Sequence, residues 1–436
     1  MDLAIRGGTV VTPEGERRAD VLVDGSRMLA VVEPGTPTTA QRTLDARGCL
    51  VLPGVVDAHV HFRAPGLTHK ERWSAASAAA VAGGVTTVLD MPNVLPPTVG
   101  PEALAAKEDA IRGQSYCDYG FYVGWGRGGV PDPEAVAMAG ALGFKVFLGE
   151  TTASLDPPTD PELRAGWRRT ARVGLRTMIH AEQTPPAGSR TAPGPWTLVA
   201  HGQSRPPETE CAAVAHACRL AGEAHAPVAI AHVSTALALE ELVRAREGGV
   251  DVRVEVCPHH LLLTEAEAVP LGTLGKVNPP LRDAVDRAAL WDALRSGLVD
   301  EVGSDHAPHT TEEKQQADAW RAPSGFAGVQ NTLVYLWGRG GLAPADWVRL
   351  LSEGPARSWG LWPRKGRIAA GADADLVLLR PEAPRQAVRQ WSLHPDSPVL
   401  RLCRPAAEVV ATLVGGQVVF ADGAPSGPPR GRWVKG

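Results

Sequence analysis

The 436-residue chain has few of the features that mark secreted, membrane-spanning or nucleic-acid-binding proteins. Its six cysteines (Cys49, Cys117, Cys211, Cys218, Cys257 and Cys403) are scattered and form no CxxC pair, which argues against a disulfide scaffold and for reduced, mostly buried thiols. Neither sign of charge dominates. A net charge of −4 and a pI near 6.4 create no broad field for nucleic acid or an anionic membrane, so an anionic substrate must be held by local cations. No uninterrupted apolar stretch reaches membrane-spanning length, and Met1-Asp2-Leu3-Ala4-Ile5-Arg6 has neither the basic nor the apolar region of a signal peptide. The expected location is therefore the cytoplasm. Internal repeats and low-complexity tracts are also absent.

What is present is enough apolar side chain, 44% of residues, for a large core, in a length suited to one big catalytic domain and a smaller one. Residues 1–50 read as short strands (Leu3 to Ile5, Thr9 to Val11, Val21 to Val23, Met28 to Val32) punctuated by Gly7-Gly8, Asp24-Gly25 and Pro34-Gly35. Too small for a core of their own, they need a partner, and residues 366–436 offer one: Ala374 to Leu379, Val409 to Val414 and Gln417 to Phe420, with Gly415-Gly416 as a hairpin turn. Both termini are expected to form one small β domain.

Residues 51–365 alternate strands with helices. The strands are Val55 to His59, Thr86 to Asp90, Asp118 to Val123, Gly143 to Leu148, Thr177 to His180, Val228 to His232, Val252 to Val256 and Val299 to Ser304. Helical segments between them include Ser74 to Val81, Glu102 to Ile111, Glu210 to Leu220 and Ala236 to Arg246. Eight such units predict an α/β fold of the (β/α)8 barrel type, with its chemistry at the C-terminal ends of the strands. Pro185 to Pro207 reads as a long surface excursion.

The strand ends carry metal-ligand chemistry. Strand one stops at His59 and His61, whose i, i+2 spacing puts both imidazoles on one face. Strand four carries Lys145, strand five ends at His180, strand six at His232, and strand eight at Asp305. A lysine ammonium has no lone pair and would be repelled by cations, so Lys145 must be neutral or modified; reaction with CO2 would give a carbamate able to bridge two metals. Two metals roughly 3.5 to 4 Å apart would share a hydroxide and polarise an amide carbonyl. Asp305 could bind one metal and pass the hydroxide's proton to the leaving nitrogen.

These motifs resemble the cyclic amidohydrolases, most closely the dihydroorotases. The resemblance is carried by Gly54-Val55-Val56-Asp57-Ala58-His59-Val60-His61-Phe62-Arg63-Ala64-Pro65-Gly66, Met91-Pro92-Asn93, Gly143-Phe144-Lys145-Val146-Phe147-Leu148, His180-Ala181-Glu182, Ala231-His232-Val233-Ser234, Cys257-Pro258-His259-His260-Leu261, Lys276-Val277-Asn278-Pro279-Pro280-Leu281-Arg282 and Ser304-Asp305-His306-Ala307-Pro308-His309. It implies two Zn2+ ions, one on His59, His61 and Asp305, the other on His180 and His232, bridged by carboxylated Lys145. It further implies that Arg63, Asn93 and His309 hold the free carboxylate of dihydroorotate, and that Asn278 touches the substrate ring. A planar guanidinium suits a carboxylate because it can donate two parallel hydrogen bonds. The implied activity is reversible hydrolysis of L-dihydroorotate to N-carbamoyl-L-aspartate, a step of pyrimidine biosynthesis. The partner is then a small molecule, not nucleic acid or membrane; the family also suggests a homo-oligomer and association with aspartate transcarbamoylase.

Other conspicuous groups are expected to serve structure: His69, His259, His260 and His306 as loop braces, and His201, His216 and His225 as ordinary polar residues. Ala231 stands where a cysteine accompanies an additional zinc in some relatives, so no third metal is expected. Gly149-Glu150-Thr151-Thr152 resembles a mobile loop reaching the substrate. Two other readings stand beside the first. One is an allantoinase or hydantoinase using the same metals on another ring, which Arg63 would disfavour because allantoin lacks a carboxylate. The other is a metal-free, non-catalytic subunit scaffolding a transcarbamoylase, which should have lost its ligands.

Overall fold

A computed structural model describes residues 1–149, 155–183 and 196–436. Eight parallel strands, Val55–Val60, Val85–Asp90, Asp118–Gly124, Gly143–Phe147, Thr177–His180, Val228–Ile230, Val252–Val256 and Glu301–Val302, pair in sequence order. The two edges meet where Val60 bridges His306, with the His61 N–H donating to the His306 carbonyl at 2.8 Å. The sheet is thus the (β/α)8 barrel expected from the sequence. Alternation along each strand divides the core: Met178, Ala229 and Ala231 join Val56, Leu89, Met91 and Tyr122 in one cluster closed by Trp359, whereas Ile179, Val228 and Ile230 pack with the helices.

The helices obey local rules. Pro101–Ile111 and Pro133–Ala139 begin with proline, whose missing N–H costs nothing in a first turn, and Asp132 caps the latter through the N–H groups of Glu134 and Ala135. Pro207–Ala224 and Ala236–Glu247 lie where their apolar spacing predicts.

Both chain ends build the separate β domain. Arg27–Val32, Asp20–Asp24, Leu3–Arg6 and Arg42–Asp45 form one sheet in that spatial order. In a second sheet of seven strands, Leu50–Pro53 lies between Thr9–Thr12 and Leu376–Arg380, and Glu408–Val414 turns through Gly415-Gly416 into Gln417–Ala421. Lys365 joins the two domains: its buried ammonium lies 2.7 Å from Asp118, which opens the third barrel strand, and 2.6 Å from Asp375.

The last strand is shorter than expected, two residues instead of Val299 to Ser304. A side chain at Gly303 would put a Cβ 2.5 Å from Glu255 Oε2 and 2.9 Å from the His59 Cβ, so the backbone passes close to the barrel interior there. The next N–H, of Ser304, is taken by the side chain of Asp57, Oδ1 at 3.0 Å, rather than by a backbone carbonyl of a ladder. The expected excursion from Pro185 to Pro207 falls partly outside the described residues; its remainder includes a helix, Leu198–Gln203, capped by Thr197. Residues 150–152 of the expected loop also lie outside them. Among the described residues, no helix is long and apolar enough to cross a membrane.

Candidate active site

All the side chains expected at the strand ends are buried at one mouth of the barrel. His59 lies within a register shift of the first strand between Asp57 and Val60, and His61 follows directly after it, a bulge-like irregularity of the kind that re-aims side chains beside active sites. His61 Nε2 lies 3.0 Å and His59 Nε2 3.4 Å from Asp305 Oδ1, and the three groups offer ligand atoms within 4.8 Å of one another. His180 Nδ1 and His232 Nε2 face each other at 2.8 Å, and the His232 ring stands 5.4 Å from that of His59. The two halves of the expected ligand set are therefore adjacent.

Electrostatics fit cations at this place. Burial pushes His59 down to about 3 and His61 to about 4, and takes His180 and His232 below the ordinary histidine range, so all four imidazoles are neutral and carry lone pairs near neutral pH. Burial alone would raise Asp305, but contact with His59 and His61 holds it well below the usual carboxylate range. Lys145 is buried with no hydrogen-bond partner for its amine among the described residues, and burial lowers it to about 8 against the opposing pull of Glu255 and Asp305. A buried amine with no hydrogen-bond partner among the described residues, beside imidazoles aimed at one another, is a donor set that fits metal ions.

Three of the inward groups sit at strained backbone positions: Arg63 at φ 65°, His232 at 41° and Asp305 at 46°. Left-handed geometry is costly for residues other than glycine, and here it turns a strand end toward the mouth. Its support comes from residues the sequence did not single out for this site. Glu255 Oε1 contacts His59 Nδ1 at 2.6 Å and accepts the His232 N–H at 3.0 Å. Glu182 lies 3.4 Å from His180 Nε2 and pairs with Arg205. Asp90 accepts the Phe62 N–H at 2.6 Å and pairs with buried Lys107 at 2.6 Å, fixing the turn into Arg63.

A small cavity beside these groups is lined by His61, Arg63, Asn93, Asn278 and Asp305, with Val277, Ala307, Ser324 and Gly325 completing it. Asn93 is also the partner of His61, its Oδ1 lying 2.8 Å from Nδ1. His309 Nδ1 lies 3.1 Å from the Lys70 ammonium, and its Nε2 lies 3.1 Å from the Ser324 carbonyl and 3.2 Å from Arg63 Nη2. Burial, chiefly, pushes His309 down to about 3 and Arg63 to about 10. Among the described residues, Arg63 Nε and Asn278 Oδ1 are buried without hydrogen-bond partners. Of the residues assigned to structure, His260 donates to the Pro279 carbonyl at 3.1 Å, and His306 Nδ1 accepts the Gly328 N–H at 3.1 Å.

Comparison with known proteins adds the following. The model of the amidohydrolase family matches residues 50–419. An allantoinase from Rubrobacter xylanophilus is 38% identical, over 100% of this chain and 97% of its own. A dihydroorotase from Halobacterium salinarum is 42% identical, over 85% of this chain and 86% of its own. The solved L-hydantoinase of Arthrobacter aurescens superposes with a TM-score of 0.93 at 30% identity, covering 100% of this chain and 99% of that one.

These findings correct one expectation. Dihydroorotate as the substrate is not upheld: further relatives matching at least 97% of this chain are allantoinases and an L-hydantoinase, and the solved structure above is a hydantoinase. The physical reason is that the N–H groups which Arg63 and Asn278 bring to the cavity serve a neutral ring carbonyl as well as a carboxylate. Residue types that suit an acidic ring do not by themselves define one.

Proposed function

The chain belongs to the amidohydrolase family, and from that premise we propose that it hydrolyses the ring amide of a cyclic ureide of the allantoin or hydantoin type. What supports the proposal is the meeting of His59, His61 and Asp305 with His180 and His232, within electrostatic reach of the Lys145 amine, which is buried without a hydrogen-bond partner among the described residues. The first three would hold one zinc ion and the two other histidines a second, with Lys145 as a carbamate between them. Such ions supply an activated water and polarise the carbonyl to be attacked.

The chain's own groups do the rest. Asp305, ionised and 3.0 Å from His61, accepts a proton from the attacking water and returns it to the ring nitrogen. A C–O bond forms as the ring C–N bond breaks, leaving a carboxylate and an opened ureide. Arg63, Asn278 and His309, with the amide of Asn93, orient the ring through its oxygens and N–H groups, and the burial of Arg63, Asn93 and His309 keeps bulk water from competing for those bonds.

Parallel turnover of allantoin, hydantoin and dihydroorotate by the purified protein, with and without a chelator, tests this reading. Opening of allantoin or hydantoin that the chelator abolishes is expected. Activity confined to dihydroorotate, or undiminished by metal removal, would contradict it.

A further inference from the structure

Two lysines beside the substrate cavity are buried without any carboxylate to pair with among the described residues. Lys314, at the end of the short helix Thr311–Lys314, points its ammonium at three backbone carbonyls: Lys276 at 3.1 Å, Pro323 at 3.0 Å and Gly325 at 3.1 Å. An ammonium has three N–H donors, so this cage uses all of them. Lys276 reaches the other way, donating to the Trp320 carbonyl at 2.7 Å and the Ala319 carbonyl at 3.3 Å. The Gly325 N–H also donates to the Lys276 carbonyl, at 3.0 Å.

These bonds run between two stretches of chain, and both stretches line the cavity: Val277 and Asn278 on one side, Ser324 and Gly325 on the other. Apolar packing does little to hold the second. From residue 315 to 325, Ala322 is the one buried apolar side chain. Gly325 adopts φ +116°, and a Cβ there would meet the Ala307 carbonyl oxygen at 2.8 Å, so this wall lies directly against the loop that follows Asp305. Burying two cations is costly, and here their charge is met by carbonyl dipoles on those two segments.

We propose that Lys314 and Lys276 are positioning residues, whose ammonium groups pin residues 319–325 against residues 276–278 and so fix the side of the cavity that meets the substrate ring. The role in substrate binding rests on the reading of that cavity as the ureide site; the pinning itself does not.

Lys314→Met and Lys276→Met, made separately in the full zinc-loaded chain, separate the two. Thermal midpoint and metal content are expected to stay near those of the parent. Tryptic cleavage after exposed Arg321 should quicken about tenfold or more. KM for the ureide that is opened should rise about tenfold or more while kcat changes less than about threefold. Unchanged cleavage, faster cleavage with an unchanged KM, or loss of kcat and metal at constant KM would each overturn the proposal. Should Lys314→Met fail to fold, Lys276→Met carries the same readouts. A parent inert toward every ureide would refute the functional reading instead, and the rate of cleavage at Arg321 would still decide whether the wall is pinned.

Discussion

Glu255 Oε1 lies 2.6 Å from His59 Nδ1 and, at 3.0 Å, also accepts the backbone N–H of His232. One carboxylate oxygen thereby orients a ligand of each proposed ion. Partners of this kind fix imidazole direction and raise ligand basicity, and their loss typically weakens metal affinity by about 10- to 100-fold. Glu255→Gln should weaken zinc affinity in that range with the thermal melt of the chain little changed, as read by chelator competition.

Lys145→Ala should lose metal and activity together, because the amine that would become the bridging carbamate is gone. Short carboxylic acids should restore part of both, since a carboxylate can take the bridging place. A metal-replete, fully active variant would remove Lys145 from the site.

Asp305→Asn keeps the shape of the side chain and removes its ability to accept a proton. Turnover should fall by about 10²- to 10⁴-fold in both the hydrolytic and ring-closing directions, the usual worth of a positioned acid–base group. Near-normal rates in a folded variant would end that assignment.

Lys365 makes a prediction about stability. Burial alone would lower its ammonium, but Asp375, Asp118 and Asp373 outweigh burial and raise it above the ordinary lysine value. Its contribution is therefore fully present below the unfolded lysine pKa of about 10.4 and lost only as pH climbs through the higher folded value. Lys365→Met, which leaves buried carboxylates without their cation, should cost about 3–5 kcal/mol by denaturant melts at neutral pH. The deficit should hold steady from mildly acidic to mildly alkaline solution.

Much of this molecule was legible in the sequence because its signals are local. Apolar runs between helical patterns marked all the barrel strands, and polar residues on or just beyond those strands placed His59, His61, Lys145, His180, His232 and Asp305 at one mouth. The left-handed turns at Arg63, His232 and Asp305 were not legible, since nothing about those residue types announces positive φ. The role of Glu255 stayed hidden because its partners lie 196 and 23 residues away. Nothing local to Lys276 or Lys314 signals their burial, and only their carbonyl cages reveal it. Substrate identity was misread for a chemical reason: a guanidinium answers to any oxygen acceptor, so Arg63 alone could not choose the ring.

The central claim is that side chains distant in sequence form one site for two cations. Titrating zinc into chelator-stripped protein while following turnover of a cyclic ureide tests it most directly. Activity that rises to a plateau at two equivalents, with both equivalents retained on gel filtration, is the predicted result. Saturation at a single equivalent, or turnover independent of added metal, would contradict it.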